Sequence, residues 1–203
     1  AEHILLSFPK RFIRDRKKIL DHHESGVSDT VLMSSRDGVH WDRTFMEAWL
    51  RPGPDPLNWT DRNNMVASGI AVTGENEFSL YASEHYRHPD NRLRRLAVGR
   101  HRFAAVSAGH AGGSMTTHPF IFKGARLLVN ASTSAAGSIR CSLLDEDGWT
   151  IPGFSAEEMD PWYGDAFDAE IRWVSENVSQ LEGRPVRLRV ELRDADLFAI
   201  RFA

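Results

Sequence analysis

The chain has 203 residues, a length that suggests one large domain or two small ones. Its 25 Lys and Arg residues against 28 Asp and Glu residues give a formal charge of −3, so it lacks the basic excess of nucleic-acid-binding domains and no nucleic acid partner is expected. Apolar stretches are far shorter than the roughly 20 residues that a membrane helix needs, so no membrane partner is expected either.

Short strands dominate the predicted first half of the chain. Apolar or alternating runs recur at short intervals, and clusters of Gly, Pro, Asn and Asp separate them. Asp37 and Gly38 predict a tight hairpin turn, with the Ser35 side chain bound to the turn backbone. The predicted strands cover residues 4–8, 30–34, 39–41, 45–50, 65–72, 77–82, 92–98 and 103–106.

The second half continues the same pattern over residues 120–122, 126–130, 138–144, 169–174, 186–192 and 197–202. Alternation in the third of these runs predicts that Cys141 faces a core, as free cysteines usually do. Asp194 and Asp196 are predicted to shape a turn between the last two strands. A short helix is predicted to begin at Ser155.

This organisation is typical of an all-β protein, either a sandwich, a barrel or a propeller. The run of glycines at positions 109–114 predicts a flexible seam between two domains. We therefore predict one domain over residues 1–110 and a second over residues 111–203.

Several stretches resemble a known family. Residues 8–12, 34–41, 58–65 and 83–89 look like the last two blades of a bacterial five-bladed β-propeller of the glycosyl hydrolase family 32/43-like type. Residues 130–144, 148–154 and 183–202 look like the β-sandwich that follows the propeller in that family. The resemblance implies two four-stranded propeller-type blades followed by a β-sandwich, and a carbohydrate-active function.

The resemblance also implies an incomplete propeller. A blade takes roughly 40 to 50 residues, so the first domain would supply two blades of five. Two blades alone would expose sheet edges that proteins normally cover. We therefore expect either further N-terminal blades or a homo-oligomer to complete the assembly.

A candidate sugar site follows from propeller topology. Asp61 precedes the predicted inner strand and Glu84 follows the next one, so the two carboxylates are expected at the same mouth. Paired carboxylates roughly 5 to 9.5 Å apart can hydrolyse a glycosidic bond, which makes Asp61 and Glu84 the candidate catalytic pair. The candidate sugar-binding residues around them are Trp59, Arg62, Asn63, Asn64, His85 and Arg87.

Each assignment has a structural alternative. Asp61 can pair with Arg62, Glu84 can pair with Arg87, and Trp59 can belong to a core. On this view the chain is a non-catalytic glycan-binding or interaction module.

Two further possibilities are weaker. His22, His23 and Glu24 could ligate a metal, but adjacent strand residues point to opposite faces, so we expect no metal and no cofactor. Ser114 with His110 or His118 would suggest a serine esterase, but the chain lacks the G-x-S-x-G elbow of that class.

Overall fold

The computed structural model describes residues 3–22 and 24–203 and confirms the all-β class. In this part of the chain, strands and three short 3-10 turns are the only regular elements. The chain divides into two compact units after Gly99. The division lies ahead of the predicted seam, because the glycine-rich segment connects two strands of the second unit.

In the first unit, the described residues form three small antiparallel sheets. The strand orders are β1-β4-β5, β2-β3 and β6-β7-β8. The strands are β1 (Leu5–Ser7), β2 (Lys10–Ile13), β3 (Val27–Thr30), β4 (Met33–Ser35), β5 (Trp41–Asp42), β6 (Ala71–Gly74), β7 (Glu77–Glu84) and β8 (Arg92–Gly99). A hairpin between β4 and β5 is confirmed by the pairing of Ser35 with Trp41, although its loop spans residues 36–40 and is longer than the predicted tight turn. The predicted contact of Ser35 with the turn backbone is also confirmed, since the Gly38 backbone N–H donates to Ser35 Oγ at 2.8 Å.

These sheets have three, two and three strands among the described residues, where four-stranded blades were predicted. The unit still has eight described strands, because residues 10–13 form the unpredicted β2 and the predicted strand 30–34 is replaced by β3 and β4, but two predicted strands are missing from its sheets. Residues 45–50 form only an isolated bridge between Leu50 and Thr30. Val106, at the end of the predicted strand 103–106, begins a strand of the second unit.

Strand β7 is the central strand of its sheet, and its last residue, Glu84, belongs to the candidate site. Its side chains alternate, so Leu80 and Ala82 are buried while Tyr81 is exposed. The strand ends at Glu84, which lies opposite Arg92 at the start of β8. The register of this hairpin therefore places a carboxylate beside a guanidinium group.

The second unit is a six-stranded antiparallel sheet built on two strands of 18 residues each. These are β12 (Leu127–Leu144) and β14 (Pro185–Phe202), and they pair with each other along most of their length. Each merges two strands that were predicted separately. The remaining strands are β9 (Val106–Ala108), β10 (Gly113–Thr116), β11 (Phe120–Ile121) and β13 (Asp165–Ile171).

Asp194 lies within β14 at a bulge in the β12–β14 pairing, where residues 134–137 of β12 face this single residue, so the turn predicted at this position is wrong. Its φ of 44° lies in the left-handed region, and the buried positions change from even numbers before it to odd numbers after it. On the facing strand, a Cβ at Gly137 would lie 2.4 Å from the Asp194 carbonyl oxygen. Only glycine leaves room for the backbone there.

The core of the second unit is apolar and lies on one face of these two strands. Leu188, Val190 and Ile139 are fully buried in it. Cys141 is buried as predicted, and burial raises the pKa of its thiol to about 12. The predicted helix is a single 3-10 turn, Ala156–Glu158, in which Ser155 and Glu158 form a capping box.

We predict that Leu188→Ala will lower the free energy of unfolding of the second unit by about 2–5 kcal/mol, because it leaves a cavity at a position with no solvent exposure. Urea titration followed by circular dichroism measures the change. Val174→Ala is the matched control, since that side chain is 78% exposed and its truncation should change stability by less than about 0.5 kcal/mol. Equal effects of the two substitutions would contradict the described core.

Candidate functional site

The candidate site lies in the first unit and consists of two facing segments, residues 55–64 and 84–90, which we call the two-loop site. The first segment opens with a 3-10 turn, Pro56–Asn58. Asp55 caps this turn by accepting a hydrogen bond from the Leu57 backbone N–H at 3.0 Å, and the proline at its first position suits a helical start. The turn directs Asn58 into the interior, where it is 3% exposed.

The Asn58 side chain joins the two segments. Its Nδ2 donates to Glu84 Oε1 at 3.3 Å, and its Oδ1 accepts from the His85 backbone N–H at 3.2 Å. Its backbone carbonyl accepts from Asn64 Nδ2 at 3.1 Å. One buried amide therefore fixes the positions of three residues that the sequence assigned to the site.

Asn63 makes a second connection between the segments. This fully buried side chain accepts from the Tyr86 backbone N–H at 2.8 Å and donates to the Leu57 carbonyl at 3.1 Å. The Arg62 carbonyl accepts from Ser83 Oγ at 2.8 Å. The structure thus brings the segments around Asp61 and Glu84 together.

Glu84 is held as an ionised group. Its side chain is 10% exposed and accepts from Arg92 Nε at 3.2 Å and from Arg94 Nη1 at 3.1 Å. Burial raises its pKa, but the hydrogen bonds from the two arginines lower it by more, so the pKa lies below its ordinary value. A carboxylate in this state is a poor proton donor.

Asp61 has a different environment. Its side chain is 9% exposed, and Oδ2 lies 3.4 Å from Arg87 Nε and 3.8 Å from Arg62 Nε. Its Oδ1 is buried and has no hydrogen-bond partner in the described part of the chain. A buried acceptor without a donor is costly, and such atoms are uncommon in native proteins.

The backbone of the two-loop site is strained. Arg62, Asn64, His85 and Arg87 have φ values between 54° and 68°, in the left-handed region that non-glycine residues rarely adopt. Strained residues of this kind cost about 1–3 kcal/mol each and concentrate at functional sites. The buried side-chain amides of Asn58 and Asn63 hold both loops in this strained conformation through their hydrogen bonds.

His85 lies between two carboxylates. Its Nδ1 is 2.6 Å from Asp90 Oδ2 and its Nε2 is 2.8 Å from Asp55 Oδ2. Burial lowers the pKa of the ring, but the hydrogen bonds to Asp55 and Asp90 raise it by more, so it lies above the ordinary value. Both ring nitrogens can donate only in the imidazolium form, which this arrangement favours.

The rim of the site is aromatic and cationic. The guanidinium groups of Arg62 and Arg87 lie 5.5 and 5.6 Å from the Tyr86 ring centroid. Arg62 Nη1 also donates to the Tyr86 hydroxyl at 2.9 Å. Trp59 is half-buried and donates from Nε1 to the Gly53 carbonyl at 2.7 Å.

The structural alternatives given by the sequence are partly realised. Asp61 does approach Arg62, but Arg87 pairs with Asp61 and Glu84 pairs with Arg92 and Arg94. Sequence reasoning missed several residues of the site, namely Asp55, Asn58, Tyr86, Asp90, Arg92 and Arg94. A signal for the two β8 arginines did exist, because a β7–β8 hairpin with a short loop sets Arg92 opposite Glu84.

The other residues singled out by the sequence lie elsewhere. Ser114 is within β10, opposite Glu191, and not at a strand-to-helix elbow. His22 Nδ1 lies 3.1 Å from the Glu24 carbonyl oxygen, which can only accept a hydrogen bond from it, and His23 lies outside the described residues. Within residues 3–22 and 24–203, no group of three or more His, Cys, Asp or Glu side chains could hold a metal ion.

Comparisons with known proteins return no match to a family model, to a curated protein or to a solved structure. Over the described residues, no helix combines the length and hydropathy that a membrane crossing requires.

We predict a pH dependence for the pairing of His85 with Asp55 and Asp90. The pKa of His85 is raised on folding, so its stabilisation is complete below pH 6.5 and is lost as pH rises through the folded-state pKa. The pKa values of Asp55 and Asp90 are lowered, so their contribution is present above pH 3.8 and is lost as pH falls. His85→Asn should therefore lower the unfolding temperature most between about pH 4 and 6.5.

Thermal unfolding followed by circular dichroism from about pH 3 to pH 9, a range that extends beyond both ends of that window, measures the effect. Asparagine tolerates the left-handed backbone, so the substitution tests the imidazole rather than the loop. His40→Asn is the matched control, because His40 pairs with Asp37 at an exposed turn where ion pairs contribute little. A constant difference between wild type and His85→Asn across this pH range would contradict the assignment.

Proposed function

We propose that the chain is a carbohydrate-active protein of the glycoside hydrolase-like type, or the C-terminal portion of one, and that the two-loop site contributes its sugar contacts. The observation that carries the proposal is Asp61 Oδ1, a buried acceptor in a strained pair of loops for which residues 3–22 and 24–203 supply no hydrogen-bond donor. A ligand hydroxyl is a neutral donor of the right kind for this atom.

The neighbouring groups suit the same ligand. Arg62 and Arg87 supply N–H donors beside Asp61, and the Arg62 side chain is 53% exposed. The Tyr86 ring lies beside both guanidinium groups and adds an aromatic group to this edge of the site. Asp61 Oδ1 is buried, so a ligand hydroxyl reaches it only when the Arg62 and Arg87 side chains move aside, while the buried amides keep the loop backbone in place.

Binding is better supported than proton transfer. Hydrolysis by paired carboxylates needs one group protonated to act as the acid. Glu84 accepts from two arginines and Asn58, and its pKa is lowered, so it supplies charge rather than a proton. Any hydrolysis at this site would need a different proton donor, and the non-catalytic alternative requires none.

We predict that Asp61→Asn will weaken binding to a neutral oligosaccharide about tenfold, because it exchanges a charged acceptor for an amide. Affinity electrophoresis against a panel of neutral polysaccharides identifies the ligand, and isothermal titration with its oligosaccharide measures the change. Asp29→Asn is the matched control, since Asp29 is a partly buried carboxylate paired with Arg11 outside the site. Absence of any carbohydrate binding would refute the proposal.

A hydrolytic role has its own test. Turnover of a panel of aryl glycosides should show little dependence on Glu84 if that carboxylate only holds Asn58 and the two arginines in place. We therefore expect Glu84→Gln to leave any measurable rate within about threefold of wild type once its folding is verified by circular dichroism. A loss of several hundredfold in a folded Glu84→Gln variant would instead indicate that the ionised carboxylate acts as a base or nucleophile.

A further inference from the structure

The second unit carries a groove on the face of its sheet opposite the apolar core. The groove has a volume of about 250 Å³ and lies over β10, β14 and β12. Its polar side chains are Ser114, Ser138, Arg140, Glu191 and Arg193, and Gly112 and Gly113 also line it. The segment that the sequence predicted as a seam thus forms one wall of a groove.

Strand register explains why these side chains meet. Glu191 lies opposite Ser114 on one neighbouring strand and opposite Arg140 on the other. Arg193 lies opposite Ser138. Since neighbouring strands are about 4.8 Å apart, their side chains line one short cleft.

The groove is cationic within an acidic unit. Residues 100–203 contain more Asp and Glu than Lys and Arg, yet Arg140 and Arg193 face the groove with Glu191 as the only carboxylate among its lining residues. The Glu191 charge is further offset by Arg189, whose Nε lies 3.4 Å from Glu191 Oε1. Beyond the bulge at Asp194, the Asp196 carboxylate accepts a hydrogen bond from the Ser107 hydroxyl.

Arg193 is held at the edge of the groove. Its Nη2 lies 3.3 Å from His110 Nε2, within hydrogen-bond distance, and its backbone is fixed by the β12–β14 pairing. Arg140 is half-buried and reaches the Ala156 carbonyl from Nη1 at 3.4 Å, a long hydrogen bond that leaves most of its donors for a ligand. Two arginine forks in fixed positions suit an anion with planar or trigonal oxygens.

The remaining groups restrict the kind of anion. Ser114 and Ser138 hydroxyls can both donate and accept, and the Glu191 carboxylate accepts only. A ligand that matches this set has an acidic group for the arginines and adjacent hydroxyls for Glu191 and the serines. A chain of bare phosphates would meet repulsion from Glu191 and leave the serine acceptors unused.

We propose that this groove binds an acidic sugar unit of a polysaccharide, one that carries a carboxylate or a sulfate ester beside free hydroxyls. The inference rests on the proposed carbohydrate function and adds a second, anionic subsite to it. Arg140 and Arg193 bind the acidic group, and Glu191 accepts from a neighbouring hydroxyl. His110 is a positioning residue for Arg193.

The test uses the full chain with polygalacturonate and dextran sulfate as the two acidic probes and dextran as the neutral one. We expect Arg193→Gln to weaken binding to the preferred acidic probe about tenfold, and Arg140→Gln/Arg193→Gln to weaken it further. Comparing the probes decides between carboxylate and sulfate. Arg184→Gln is the matched control, an exposed arginine with the same charge change outside the groove.

Two outcomes would show that binding depends only on net charge, and either would overturn the inference. One is an equal loss of affinity in Arg184→Gln, and the other is equally tight binding of duplex DNA. A third outcome would overturn this inference and leave the proposed function standing. In that outcome Asp61→Asn weakens binding to a neutral sugar, but the arginine variants do not weaken binding to an acidic sugar. Glu191→Gln should weaken binding if that carboxylate accepts a hydroxyl, whereas a tenfold gain would refute its assigned role.

Discussion

The two-loop site depends on one buried amide. Asn58 can reach Glu84 and the His85 backbone only because the Asp55-capped turn aims it inward, and its own carbonyl is then occupied by Asn64. Each of its polar atoms has a partner in the opposite loop or in its own, so neither segment can shift alone without exposing an unsatisfied group. The strained backbone on either side persists because this amide overdetermines it.

The two units differ in the polarity of the side chains that they bury. The second unit buries a continuous apolar cluster along one face of two long strands. Much of what the first unit buries is polar: Ser28, Thr30, Asn58, Asn63 and Glu84. Polar interiors specify geometry more sharply than they stabilise it, because each buried polar group must be matched. The unit with the polar interior holds four of the six described non-glycine residues that have a left-handed φ.

Sequence reasoning succeeded where the signal was local. Alternation around Cys141 predicted its burial, and the Asp37-Gly38 pair predicted a hairpin. It failed where partners come from distant positions. Arg87 follows Glu84 closely in sequence but forms its ion pair with Asp61. Asp194 is a residue type that favours turns, but it lies at a bulge, between Arg193 and Ala195, which are both paired with β12. Propensity cannot distinguish a turn from a bulge, since the facing strand decides which one forms. The roles of Asp61 and Glu84 in binding or catalysis stay predictions.

Cys141 gives the second unit an internal reporter. It is the single cysteine of the chain, and its thiol is fully buried with a pKa near 12, so almost no thiolate reaches solvent while the strands stay paired. Alkylating reagents can modify this sulfur only when the core that covers it opens. The labelling rate at one atom therefore reports how often that core opens in the unperturbed protein, without an introduced probe.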